Sequence, residues 1–195
     1  MKNIIVLISV LFFSTQMHAQ EFPKGLQVND HAPSFSAVDQ NGTLIELKDL
    51  LNKGNVVMIF YRGQWCPFCN RQLKALEDSL QFFVSKKAQL IAITPEKPDN
   101  ITKSIFKTKA SFPILYDDGL KIMKGYDVAF AVDEKTIEKY KNYGIDFNEA
   151  NGSNGANLPV PAVYIINQDG KIIYKYFDTD YKKRPSVAEL LKHLQ

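Results

Sequence analysis

The sequence has few cysteines, few histidines and no clustered basic residues, and each shortage argues against a class of protein. Its 195 residues include two cysteines, three histidines and one tryptophan. A structural zinc site normally takes four ligands, and no histidine here has ligand spacing to a partner, so we predict no metal. The net charge is only +3 and no run of five or six basic residues occurs, so we predict no nucleic-acid partner.

The N-terminal segment differs in composition from the rest of the chain. Lys2 precedes the apolar run from Ile4 to Phe13, and a polar stretch then ends at Ala19. This layout is typical of a secretory signal, and the run is too short to span a bilayer as a helix. We therefore predict a signal peptide over residues 1–19 and a periplasmic or secreted protein without an integral membrane segment after cleavage. The alternative is an uncleaved anchor or a buried strand.

The remaining chain, with a domain predicted over residues 24–195, alternates short apolar runs with helical patterns. Asn41-Gly42 between two alternating runs predicts a hairpin, and the unbroken apolar run Val56–Tyr61 predicts a strand buried on both faces. Strands that alternate with helices favour an α/β sheet with crossover connections. The polar, glycine-rich residues 151–155 suggest a flexible surface loop.

Both cysteines lie where the buried strand is predicted to end and a helix to begin. Cys66 and Cys69 are separated by two residues, and Pro67 suits the first position of a helix. The apolar residues that follow recur on one helical face: Leu73, Leu76, Leu80 and Phe83. The pair therefore lies at a helix N-terminus, where unpaired backbone N–H groups favour an anion.

This position predicts a redox pair in which the two sulfurs have different roles. A thiol reacts as its thiolate, and a helix N-terminus together with Arg62 and Arg71 lowers the pKa of a nearby cysteine. We expect Cys66 to be the more acidic, attacking thiol, and Cys69, one turn deeper, to be more buried and to resolve the intermediate. The alternatives are half of a metal site, a structural staple and inert core thiols. These three roles are less typical of two isolated cysteines at the start of a helix.

Around these cysteines the residues carry a family resemblance. The run FYRGQWCPFC, Phe60–Cys69, resembles the thioredoxin superfamily and, more narrowly, the peroxiredoxin-like proteins of the alkyl hydroperoxide reductase and thiol-specific antioxidant group. Similar segments recur at residues 30–35, 158–162, 169–171 and 180–185. The resemblance implies a thioredoxin-like α/β fold, with a central mixed sheet flanked by helices. It also implies an N-terminal hairpin and a helical insert before the strand that follows a cis proline.

The resemblance also implies a set of residues that position the substrate. By its position, Pro161 is the cis proline beside the cysteines, and Val160 offers backbone groups to a bound thiol substrate. Trp65 is expected over the active sulfur, and Arg62 and Pro67 complete the predicted set.

The sequence departs from the family pattern at two points. Typical peroxiredoxins have threonine or serine three residues before the reactive cysteine, where this chain has Gly63. They also use a downstream arginine to stabilise the thiolate, and this chain has no arginine between Arg71 and Arg184. Arg62 or Arg184 replaces it only if the fold brings one of them close to the cysteines.

The predicted activity is that of a thiol-based oxidoreductase without a cofactor. The first interpretation is a peroxiredoxin-like thiol peroxidase that reduces hydrogen peroxide or alkyl hydroperoxides, forms a Cys66–Cys69 disulfide and is regenerated by an external thiol reductant such as a thioredoxin-like protein. The alternative is a thioredoxin-like thiol-disulfide oxidoreductase acting on protein disulfides in the periplasm. A binding module that uses the pair only as a redox sensor is the third interpretation.

Overall fold

The apolar run predicted to be a buried strand forms the middle of the central sheet. The computed structural model describes residues 22–194, so the predicted signal peptide lies outside the described residues. The strands are β1 (Ser36–Val38), β2 (Leu44–Glu46), β3 (Asn55–Phe60), β4 (Ala88–Thr94), β5 (Ile114–Tyr116), β6 (Ala129–Ala131), β7 (Asn157–Pro159), β8 (Ala162–Ile166) and β9 (Ile172–Phe177). The α-helices are α1 (Leu47–Leu51), α2 (Pro67–Asp78), α3 (Leu80–Ser85), α4 (Pro98–Thr108), α5 (Lys121–Gly125), α6 (Glu134–Asn142), α7 (Phe147–Asn151) and α8 (Val187–Lys192).

The central sheet is mixed and has the strand order β5-β4-β3-β8-β9. Strands β4 and β5 continue the parallel part from β3, whereas β8 pairs antiparallel with β3 and β9 pairs antiparallel with β8. The N-terminal hairpin of β1 and β2 is confirmed, and β8 and β9 form a second hairpin. This arrangement confirms the predicted α/β architecture with a central mixed sheet flanked by helices.

Side chains alternate between the two faces of β3 because successive residues of a strand point to opposite sides. Val57 and Ile59 join a core that includes Leu73 of α2 and Leu190 of α8. Val56, Met58 and Phe60 join the opposite core, which includes apolar residues of α1 and α5. Helix α2 is therefore held against the sheet, and its first turn lies just beyond the end of β3.

The predicted helical insert lies between β6 and β7, and these two strands pair with each other antiparallel. Its helices α6 and α7 pack with Val132, Phe147 and Leu158 in a small third cluster, which Trp65 also contacts. The insert therefore borders the cysteine segment rather than projecting away from it.

Some local predictions differ from the structure. The helix predicted to run from the cysteines to Phe83 is interrupted at Ser79, which separates α2 from α3. Residues 152–154 form a tight turn rather than a flexible surface loop, because the buried Asn154 side chain donates to the carbonyls of Pro95 and Asp117. None of the helices within residues 22–194 combines the length and apolarity needed to cross a membrane.

Candidate functional site

The two cysteines lie at the start of α2, as the sequence predicts. Cys66 is the N-cap residue and Pro67 is the first helical residue, so the proline removes only an N–H that would lack a partner within the helix. The backbone N–H of Cys69 donates to Cys66 Sγ at 3.4 Å, so the sulfur acts as the cap. Both cysteines are free thiols, 1% and 0% exposed respectively, so the structure represents the reduced form.

Cys69 lies on the core side of the pair and contacts an arginine from the far end of the chain. Arg184 Nη2 donates to Cys69 Sγ at 3.3 Å, and Arg184 Nε donates to Gln72 Oε1 at 2.7 Å. Burial raises the pKa of Cys69, but a hydrogen bond with the Cys66 thiol, the charge of Arg184 and a backbone N–H of Arg62 outweigh it and lower this pKa to about 6. Arg184 thus reaches the cysteines across more than a hundred residues of sequence.

Cys66 shows the opposite shift, which corrects the prediction that it is the more acidic thiol. Its pKa is raised, first because it shares its proton with Cys69 in a hydrogen bond and second because it is buried, and the charge of Arg62 offsets this only partly. These two shifts favour the thiol form of Cys66 and the thiolate form of Cys69 in the reduced pair. The sequence shows the helix N-terminus, but neither the hydrogen bond between the two thiols, which is the first cause of the raised pKa of Cys66, nor the arginine that further lowers the pKa of Cys69.

Arg62 and Trp65 lie together on the other side of Cys66. The guanidinium carbon of Arg62 lies 4.9 Å from the ring centre of Trp65, 5.4 Å from that of Tyr140 in α6 and 4.4 Å from that of Tyr181. Its Nη2 also donates to the Tyr140 hydroxyl. These residues and Cys66 line a groove of about 480 Å³, which we call the Arg62 groove.

Gly63 packs against a buried carboxyl group that the sequence analysis did not single out. A Cβ at position 63 would lie 2.6 Å from Glu96 Oε1 and 2.6 Å from Trp65 Nε1, so a side chain there, including a hydroxyl of the peroxiredoxin type, has no room unless Glu96 or Trp65 moves. Glu96 is fully buried, and its Oε2 accepts the backbone N–H of Gln64 at 2.7 Å. Burial raises the pKa of Glu96 to about 8.

Val160 and Pro161 lie as the sequence predicts, between β7 and β8, but their backbone differs from the expectation. No peptide bond within residues 22–194 is cis, so the prediction of a cis bond at Pro161 is wrong. The backbone N–H of Val160 donates to the Val128 carbonyl at 2.8 Å, immediately beside the β6–β7 pair. The residue just before β6 therefore already occupies the donor that was expected to bind a substrate.

Glu96, Tyr140 and Tyr181 are the site residues that sequence reasoning missed. A signal for Glu96 was present, since it follows Pro95 just beyond β4, and β4 is the parallel neighbour of the strand that leads to the cysteines. The carboxyl ends of neighbouring parallel strands meet at one edge of a sheet. Tyr140 and Tyr181 gave no such signal, because their approach depends on how the insert and the C-terminal segment fold back. Within residues 22–194 no cluster of three or more acidic, histidine or cysteine side chains is arranged to hold a metal ion.

Comparisons with known proteins match the family and the fold. The model of the AhpC/TSA family matches residues 28–175. The thiol-disulfide oxidoreductase ResA of Bacillus cereus is 25% identical over 160 residues, which are 82% of this chain and 75% of that protein.

Two solved structures show the same fold. The crystal structure of peroxidoxin BcpB from Mycobacterium tuberculosis matches with a TM-score of 0.67 at 20% identity, over 87% of this chain and 96% of the other. The thioredoxin domain of a thiol-disulfide oxidoreductase from Bacteroides vulgatus matches with a TM-score of 0.59 at 16% identity, over 87% of this chain and 99% of the other. The thioredoxin-like fold predicted from the sequence is thereby confirmed.

Proposed function

The chain belongs to the AhpC/TSA family of thiol-based oxidoreductases, and from that membership we propose that it is a thiol peroxidase that reduces hydrogen peroxide or alkyl hydroperoxides through a Cys66–Cys69 dithiol/disulfide cycle. The observation that carries the proposal is the position of Cys66 in the wall of the Arg62 groove, with Cys69 hydrogen-bonded behind it. The sulfur of Cys66 can thus contact a small substrate, and the sulfur of Cys69 is close enough to react with it afterwards.

The cycle balances with a peroxide and an external dithiol. The Cys66 thiolate attacks one oxygen of the O–O bond, and the other oxygen leaves as alcohol or water after taking up a proton. The sulfenic acid on Cys66 then condenses with Cys69, which forms the disulfide and releases water. A thioredoxin-like reductant returns two electrons and two protons to the pair.

The resting charge distribution adds one step to this cycle. The proton on Cys66 must leave before attack, and the hydrogen bond with Cys69 provides a direct path for it. Arg62 then lies next to a thiolate on Cys66 and stabilises it, while Arg184 stays beside Cys69. The two arginines thus divide the role of the single arginine of typical peroxiredoxins.

The backbone around Val160 favours a small substrate over an extended peptide. A peptide that adds to a strand edge needs free backbone donors and acceptors. Here the N–H of Val160 is taken by Val128, and Ala129–Ala131 already pairs with Asn157–Pro159. A peroxide needs none of these groups.

The second candidate is a thiol-disulfide oxidoreductase acting on protein disulfides, and Gly63 is the observation in its favour. The position lacks the hydroxyl that orients a peroxide in typical peroxiredoxins, and Glu96 and Trp65 leave no room for one. The likeness to ResA, whose name is that of a thiol-disulfide oxidoreductase, points the same way. The predicted export to the periplasm or the extracellular space suits both candidates, because disulfides persist there.

One stopped-flow experiment separates the two candidates. Reduced protein is mixed with hydrogen peroxide or with an unfolded protein that contains disulfides, and loss of free thiols is followed. We expect peroxide to oxidise the pair orders of magnitude faster than free cysteine, and the denatured chain serves as a control with identical residues. Rapid reaction with the protein disulfide alone contradicts the peroxidase and supports the second candidate. Reaction with neither contradicts both.

A further inference from the structure

Arg62 is a buried cation that has no acidic partner among residues 22–194. It is 4% exposed, and the hydroxyl of Tyr140 is the one side-chain hydrogen-bond partner it has within residues 22–194. No carboxylate of the described chain forms an ion pair with it; the ion pairs there are Lys74 with Asp78 and Lys183 with Asp178. Burying a charge is costly unless it is paired and hydrogen-bonded. The three aromatic rings around Arg62 offset part of this cost, and its remaining donors are suited to an anion supplied by a ligand.

The thiolate does not neutralise this charge completely. Arg62 and Arg184 are two permanent cations beside a pair that carries one negative charge, on Cys69, in its resting form. Glu96 does not restore the balance at neutral pH, because burial raises its pKa to about 8 and leaves it mostly protonated. An excess of about one positive charge therefore remains around Arg62.

The space next to Arg62 is lined mostly by apolar and aromatic surface. A second cavity of about 190 Å³ adjoins the Arg62 groove, and the two share Arg62, Tyr140 and Tyr181. Lys139 adds a further cation to the wall of the groove. The adjoining cavity includes the exposed Asp133, whose side chain is occupied as the N-cap of α6.

We propose that the Arg62 groove recognises organic carboxylates that carry an aromatic or other flat apolar group. The carboxylate pairs with the free N–H groups of Arg62, with Lys139 in support, and the apolar body lies against Trp65, Tyr140 and Tyr181. Seated there, a substrate presents its peroxide or disulfide bond to Cys66. The proposal rests on the proposed function for the reaction at Cys66, but not for the binding itself.

Binding can be measured without turnover, because Trp65 is the single tryptophan of the chain and lies in the groove wall. Phenylpropionate and its neutral analogue phenylpropanol are titrated into reduced protein while Trp65 fluorescence is recorded. We expect the carboxylate to bind about tenfold or more tightly than the alcohol, since a hydrogen bond to a charged group contributes about this much. Equal affinities would overturn the proposal.

Variants assign the preference to the groove. Arg62→Gln should remove the difference between the two ligands, and Lys139→Gln should reduce it about twofold to fivefold. Lys141→Gln is the matched control, since Lys141 is an exposed lysine of the same helix that does not line the groove. Should Arg62→Gln fail to fold, the comparison of Lys139→Gln with Lys141→Gln still decides. The assignment to the Arg62 groove is contradicted if Lys139→Gln leaves the preference for phenylpropionate unchanged, or if Lys141→Gln reduces it equally.

A kinetic arm extends the test to the reacting sulfur. Reduced protein is mixed with dithiobis-nitrobenzoate, an aromatic disulfide with carboxylates, or with dithiodipyridine, a neutral aromatic disulfide. We expect Arg62→Gln to slow the first reaction about tenfold more than the second. Equal slowing of both contradicts the proposal. The fluorescence result does not depend on whether the protein reacts with peroxide, so the proposed function and the proposed binding can be disproved independently.

Discussion

Cys66 and Cys69 are three positions apart in the chain, yet they face different parts of the molecule. Cys66 lines the Arg62 groove beside aromatic rings, whereas Cys69 is fully buried against Arg184 at the boundary of the core. The groove side has the space for a substrate, and the core side has the groups that hold a negative charge. A Cys-x-x-Cys segment alone does not determine the acidity of its sulfurs, because a residue from a distant part of the chain, Arg184, also lowers the pKa of Cys69.

The substitution with the largest expected effect on stability is that of Glu96, on the core side. Its pKa is about 8 in the folded protein against an ordinary value of 4.5, so between these values the folded state binds more protons than the unfolded chain. The stability from this carboxyl is complete below about pH 4.5 and is lost as pH rises through 8. We expect Glu96→Gln to gain roughly 3–5 kcal/mol of unfolding free energy over the wild type between pH 4.5 and 9.

Denaturant unfolding across this pH range measures the gain. The exposed Glu138→Gln serves as the control and should track the wild type at every pH. Parallel curves for the wild type and Glu96→Gln would mean that Glu96 ionises normally. The difference between the core side and the groove side would then be smaller than described.

The next effect concerns Gly63, where the two sides meet. Adding a Cβ there brings it within 2.6 Å of both Glu96 and Trp65, so we expect Gly63→Ala to lower the unfolding free energy by about 2–3 kcal/mol. The control is Gly125→Ala, whose Cβ would meet nothing closer than 3.7 Å and should change stability by less than about 1 kcal/mol. Equal unfolding free energies for the two variants would show that position 63 accepts a side chain.

A smaller effect is expected from Arg184, which of the two cysteines contacts only Cys69. Loss of its charge in Arg184→Gln should raise the lower thiol pKa of the pair by about one unit, since an adjacent cation shifts a pKa by this order. Thiolate absorbance in the ultraviolet, recorded against pH, measures the shift, and the neighbouring Lys183→Gln should leave the titration unchanged. An unshifted titration in Arg184→Gln would show that the charge of Arg184 does not lower the pKa of Cys69.

The sequence predicted the parts of the site that depend on short-range pattern. The buried strand, the helix that starts at Pro67 and the N-cap position of Cys66 all follow from residues within one turn or one strand of each other. The hairpin at Asn41-Gly42 is of the same kind. The strands β6 and β7 were missed because no short turn joins them, since α6 and α7 lie between them in the chain.

The remaining features depend on contacts across the fold. The approach of Arg184 to Cys69 and that of Tyr140 to Arg62 span more than seventy residues each, and no local pattern encodes them. The trans bond at Pro161 also depends on the fold, because both isomers are accessible to proline and the surrounding structure selects one of them.

The most direct test of the account compares the first chemical step in Cys66→Ser and Cys69→Ser. Each reduced variant is mixed with hydrogen peroxide, quenched with a sulfenic-acid trap at increasing times and analysed by mass spectrometry. We predict that Cys69→Ser forms the trapped adduct on Cys66 at a rate within about a hundredfold of the rate of thiol loss in the wild type. The slower rate is expected because Cys69 no longer accepts the proton of Cys66. Cys66→Ser should react no faster than free cysteine. Rapid sulfenic-acid formation on Cys69 in Cys66→Ser, with Cys69→Ser inert, would contradict the assignment of the groove-side sulfur as the attacking group.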